Sequence, residues 1–121
     1  EAMGQPGIEL IVGARSDPEW GPVLLAGFGG VTAEIKKDVR LLPPELDAAG
    51  VAAELRRLKS AKLFDGFRGA LPVDVDAAAK LIVSLGRIMM AEPRLSEVDL
   101  NPVVLRPDGC VALDALLLVG E

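Results

Sequence analysis

With 121 residues, half of them hydrophobic, the chain is long enough to bury one core, and with aromatics at 3% and tyrosine absent that core must be aliphatic. A formal net charge of −5, with no run of lysine and arginine, argues against a nucleic-acid or anionic-membrane surface. The absence of histidine removes histidine triads and most zinc sites, and a single cysteine, Cys110, excludes an internal disulfide and suits a reducing cytosol.

No apolar run approaches the roughly 20 residues that span a bilayer, and the N-terminus has no basic, apolar signal pattern. The chain opens on Glu1-Ala2-Met3-Gly4 and enters an extended segment almost at once, which reads as a piece of a longer protein. Residues 8–12 (IELIV) predict a short strand ended by Gly13, with a turn at Ser16-Asp17-Pro18. Trp20-Gly21-Pro22 leads to a second strand over 23–26, stopped by Gly27-Phe28-Gly29-Gly30, and the two strands suit an antiparallel pair. Gly29 and Gly30 could bring backbone amides against a phosphate, and a tight sheet corner explains them as well.

Residues 31–42 read as a third extended segment closed by Pro43-Pro44. Arg40 there could present a guanidinium to a phosphate or lie on the solvated face of a strand. Glu34, Lys36, Lys37 and Asp38 read as solvated charges. Asp47 caps a helix through about residue 58, with Val51, Leu55 and Leu58 on one stripe, and residues 60–64 add a turn. After the Gly66-Phe67-Arg68-Gly69 loop, Asp74 caps the strongest helix, through about residue 91. Ala78, Leu81, Ile82, Leu85, Ile88 and Met89 share its buried face, Met89 and Met90 serve as core filler, and Pro93 ends the segment.

Residues 95–119 carry two apolar runs about the turn Arg106-Pro107-Asp108-Gly109, a β-hairpin in which Asp99, Asn101 and Asp114 interrupt the apolar pattern. Buried carboxylates are costly without a hydrogen-bond partner or a cation, and Asp99 and Asn101, two apart, share one face of a strand. Oxygen ligands on a rigid strand pair suit Mg²⁺ that also carries substrate phosphates. A two-residue turn on Pro107-Asp108 would set Asn101 opposite Asp114. A type I turn followed by a left-handed Gly109, which suits proline better, would shift the pairing by one and need a bulge, for which Pro102 is the natural place. The competing reading is three strand-end polar groups in water. The expected fold is α+β, a mostly antiparallel sheet with two main helices packed on it.

The segments GIELIVGARSDPEWGPVLLAGFGG, AEIKKDVRLLP, LFDGFRGALPVD, VDLNPVVL and PDGCVALDA, in this order, resemble the C-terminal part of the ATP-grasp domain of ADP-forming acyl-CoA (acetyl-CoA) synthetases, including those fused to acetyltransferases; succinyl-CoA synthetase β subunits are more distant. The resemblance covers almost all of residues 1–121 and implies one metal-binding subdomain of a longer protein. It implies Mg²⁺ held by Asn101 and Asp114, Asp99 beside the metal or nucleotide, and ATP/ADP as the ligand. Arg40 matches an arginine common in the family's third strand. It implies a cytoplasmic acid–CoA ligase that interconverts acyl-CoA, phosphate and ADP with acid, CoA and ATP. The phosphohistidine of that relay must lie outside this chain, with the remaining ATP-grasp lobe and the CoA-binding domain or subunit as partners. Two positions depart from the family: Leu116 stands where arginine is frequent, and Trp20 replaces a phenylalanine, a change read as packing. Leu116 favours an alternative, a regulatory ATP-grasp-like domain of a protein lysine acetyltransferase without ligase turnover.

Overall fold

The computed structural model describes residues 7–28, 38–66 and 69–120. Its elements are β1 (Ile8–Asp17), β2 (Gly21–Phe28), β3 (Val39–Leu42), α1 (Ala48–Leu55), a 3₁₀ turn (Ala61–Asp65), α2 (Val75–Ala91), β4 (Leu95–Arg106), β5 (Gly109–Ala112) and β6 (Ala115–Val119). The strands form one antiparallel sheet in the order β3-β2-β1-β4-β5, and β6 continues beyond β5 along the same edge of β4. The expected α+β architecture, helices over an antiparallel sheet, is the one observed.

Both helices begin where the sequence predicts, because the signals are local. Asp47 accepts from the Gly50 amide at 2.8 Å and Asp74 from the Ala77 amide at 3.0 Å, each satisfying an N–H that the first turn leaves without a partner. Alternation along the strands sends Leu10, Val12 and Ala14 of β1 and Leu24 and Ala26 of β2 into one dry layer. These pack against Val51 and Leu55 of α1 and Ala78, Ile82, Leu85 and Met89 of α2. Phe28 and Phe64 stack at 5.1 Å between ring centroids and fill one end of this otherwise aliphatic core. Among the described residues no helix covers the second face of the sheet.

Several expectations are corrected. β1 does not stop at Gly13 but runs on to Asp17, since Gly13 is paired on both sides, with Leu25 and Asp99. Ile88 and Met90 lie outside the buried stripe of α2 and are half exposed. Trp20, in the β1–β2 turn, is 80% exposed and packs no core. Asp38 is not a solvated charge: it is 5% exposed, and its two carboxylate oxygens accept from the amides of Lys59 (2.6 Å) and Ser60 (2.8 Å) after α1. Residues 31–37, within the third extended segment, lie outside the described residues, as do 67 and 68.

The Asp38 carboxylate thus ties the start of β3 to the turn that leads out of α1. Removing it strands two amide donors in a buried site. Asp38→Ala is expected to lower the unfolding free energy by about 3 kcal/mol in a urea titration; a loss below about 0.5 kcal/mol would show that water satisfies those amides.

Candidate functional site

The hairpin register is simpler than proline in the turn suggested. Arg106 pairs with Gly109, Val103 with Ala112 and Leu100 with Ala115, so the turn has two residues and one register runs from β5 into β6. Gly109, the first paired residue after the turn, has φ +146°, a conformation that favours glycine. The intervening pairs keep that register through backbone hydrogen bonds, Asn101 N–H to the Asp114 carbonyl at 3.3 Å and Leu113 N–H to the Pro102 carbonyl at 3.0 Å. Asn101 therefore stands opposite Asp114 without any shift between these two strands.

The irregularity expected at Pro102 exists, but on the other side of β4. Leu10 of β1 pairs with Val103 and Val12 with Leu100, so Asn101 and Pro102 together oppose Ile11 alone. Such a bulge lets Leu100 and Val103 both face the core. Across β4, Ala112 and Ala115 pair with Val103 and Leu100 and have Leu113 and Asp114 between them, so the edge strand slips its alternation at the same place. Asn101 follows core-facing Leu100, and Asp114 precedes Ala115, which pairs with Leu100, so the joint slip gives both residues the phase of the helix-free face. Asp99 reaches the same face by simple alternation, and all three residues are exposed.

One row of this face reads Leu41, Leu25, Gly13, Asp99, Leu116 across five strands. Gly13 makes a low floor beside the Asp99 carboxylate: a Cβ built on it would lie 4.0 Å from Oδ1 and 3.6 Å from the Val98 carbonyl. A cavity of about 290 Å³ opens over it, with Val23, Leu25 and Leu41 on one flank, Glu97 and Asp99 on the other, and Arg15 in the next row. Arg15 and Glu97 are missing from the sequence-derived site. Their signal was the odd-numbered phase that β1 shares with Gly13 and β4 with Asp99.

The donor set consists of hard oxygens. Asp114 accepts one hydrogen bond, from the Ala115 amide at 2.9 Å, and among the described residues neither Asp99 nor Asp114 has a salt-bridge partner. No three His, Cys, Asp or Glu side chains among the described residues form a ready-made metal cage. An amide oxygen and one or two carboxylates, with room for further ligands, fit Mg²⁺, which keeps waters and phosphate oxygens in its shell.

Arg40 is not brought to this face. It pairs with Ala26, whose side chain is buried in the core layer, and its guanidinium binds Glu54 of α1 through Nε at 2.9 Å and Nη2 at 2.7 Å. Gly29 and Gly30 lie outside the described residues. Cys110 is half-buried, and burial, followed by the nearby Asp74 charge, raises its pKa above the ordinary thiol value, the opposite of an activated nucleophile. No helix among the described residues is long and apolar enough to cross a membrane.

Comparison with known proteins gives this face a context. The profile of the ATP-grasp domain family matches residues 1–119. A trans-feruloyl-CoA synthase, FCS1, from an unknown prokaryotic organism is 58% identical over 98% of this chain, which spans 17% of that protein. The β subunit of acetate–CoA ligase (ADP-forming) I from Pyrococcus furiosus is 34% identical over 93% of the chain, which spans 49% of the subunit. Among solved structures, acetyl-coenzyme A synthetase 1 of Ca. Korarchaeum cryptofilum superposes with a TM-score of 0.88 at 37% identity, over 94% of this chain and 54% of that one. That structure holds coenzyme A and Mg-AMPPCP, with a phosphohistidine segment pointing towards the nucleotide-binding site. With relatives that are ADP-forming CoA ligases and a family profile that spans nearly its whole length, the chain belongs to the ATP-grasp domain family.

Proposed function

We propose that the helix-free face is the Mg²⁺- and nucleotide-binding surface of an ADP-forming acyl-CoA synthetase, and that residues 1–121 are the C-terminal, metal-binding part of its ATP-grasp domain. The observation that carries the reading is the opposed pair Asn101 and Asp114, turned to one face by the joint slip of two strands, with Asp99 beside them. Asn101 and Asp114 would hold the ion, and Asp99 would orient a water or nucleotide hydroxyl next to it. Bound there, Mg²⁺ would neutralise phosphate oxygens, and the protein's share of catalysis would be positioning and electrostatics.

Exposure on the same sheet supports a larger assembly. Leu113, Leu116, Leu117, Leu118 and Val119 are 46–66% exposed, an apolar run that should prefer cover. The remaining ATP-grasp lobe is the natural cover, because the chain spans 49% of the Pyrococcus furiosus β subunit. The full protein would convert acyl-CoA, phosphate and ADP into acid, CoA and ATP in the cytoplasm. Its phosphoryl carrier would be a histidine of the CoA-binding domain or subunit, since this chain contains none. Leu116 favours the regulatory alternative, for it sets an apolar side chain directly beside Asp99 in the pairing. Acid-dependent ATP consumption by the full protein separates the two.

In the full protein, Asp114→Ala is expected to cut Mg²⁺-dependent phosphorylation by about a hundredfold or more, the loss typical of removing one preorganised electrostatic contact, with the melting temperature unchanged. Retention of activity would remove Asp114 from the metal site. Gly13→Val suits a strand and meets no atom closer than 3.6 Å at its Cβ, so its stability should change by less than about 1 kcal/mol. Its side chain fills the cavity floor, so binding of Mg-ADP by calorimetry is expected to be lost. Unaltered affinity would place the nucleotide elsewhere.

A further inference from the structure

The proposed site has carboxylates and the Asn101–Asp114 pair for a metal, but no protein cation for the phosphates. Among the described residues, the cavity over Gly13 has one cation in its wall, Arg15. Alternation along β1 sends Gly13 and Arg15 to the same face, and the register sets Arg15 between Val23 and Glu97. No carboxylate of a described residue lies within ion-pair distance of its guanidinium. Glu97 stands opposite Arg15 in the register, and the Arg15 charge helps to lower the pKa of Asp17, after two backbone hydrogen bonds from Trp20 and Glu19.

We propose that Arg15 is a phosphate-binding residue, holding the end of the nucleotide's phosphate chain that lies away from Asn101 and Asp114. This rests on the nucleotide-binding reading above. Glu97, Asp99 and Asp114 give the face a negative field that repels a polyphosphate unless cations sit along its path. A metal at Asn101 and Asp114 neutralises one end. The row of Arg15 and Glu97 lies four residues along β4 from Asn101, about 13 Å at the rise of a strand. An extended phosphate chain and an arginine side chain together bridge that gap, crossing Gly13, where no side chain stands in the way. A guanidinium offers a fork of donors matched to phosphate oxygens. Leu116, on the opposite flank of Asp99, supplies no charge, which leaves Arg15 as the cation of this cavity among the described residues.

Calorimetric titration of the full-length protein with Mg-ADP, with adenosine as a probe lacking phosphates, tests the assignment. Arg15→Ala is expected to weaken Mg-ADP binding about tenfold or more while leaving adenosine binding and the melting temperature unchanged, and Arg15→Lys to restore part of the loss. Equal Mg-ADP affinity in wild type and Arg15→Ala would overturn the role of Arg15 and leave the nucleotide site standing. An equal loss for adenosine would also overturn it, since a phosphate contact cannot act on a ligand without phosphates. Failure of the wild type itself to bind Mg-ADP would overturn the nucleotide reading and this assignment with it.

Discussion

The site depends on one constraint in the backbone: β4 must keep both Leu100 and Val103 in the core although two residues, not one, lie between them. On the β1 side the extra residue is absorbed as a bulge against Ile11. On the other side the edge strand carries a matching extra residue between Ala112 and Ala115, so the hydrogen-bond register survives. A slip in one strand alone would turn Asn101 and Asp114 to opposite faces. Made jointly, it sets an amide and a carboxylate side by side above a sheet whose other face is fixed by aliphatic packing. Rigidity for the oxygens thus comes from the dry side of the sheet, and accessibility from the helix-free side.

The same division sorts the charged groups of the molecule. On the helix side, charges that approach the core are matched: Asp38 by two amides, Arg40 by Glu54. On the open side Arg15, Glu97, Asp99 and Asp114 lie in solvent without ion pairs among the described residues. A fold that matches Asp38 and Arg40 on one face and leaves a mixed set of oxygens and the Arg15 guanidinium on the other has the chemistry of a surface for a metal–anion complex. The exposed aliphatic strand β6 borders that surface, so ligand and covering lobe would meet along one edge.

Much of this was legible in the sequence wherever the governing signal is local. Asp47 and Asp74 mark their helices because a cap is a three-residue event. The interruption of apolar strands by Asp99, Asn101 and Asp114 singled out the hairpin before any register was known. What failed was non-local. Asp38 is held by amides 21 and 22 residues away, and charge alone could not show that. Arg40 on an extended segment suits either a phosphate or a solvated strand face, and its face is set by pairing with Ala26, which no local signal reports. The hairpin was judged from proline's dihedral preference, whereas Gly109 and the pairs on either side of Pro102 decide the register. Periodicity located the stripe of α2 but not its width, so Ile88 and Met90 were assigned to a core that does not reach them.

Manganese substitution tests the central claim most directly, because Mn²⁺ takes the same oxygen ligands as Mg²⁺ and its free ion is counted by electron paramagnetic resonance. In the full-length protein with ADP present, one Mn²⁺ per nucleotide site should leave the free-ion signal in the wild type. Asn101→Ala and Asp114→Ala should each release it, and the double variant should be little worse than either, as expected of two ligands to one ion. Undiminished Mn²⁺ uptake by both single variants would contradict a shared metal at residues 101 and 114.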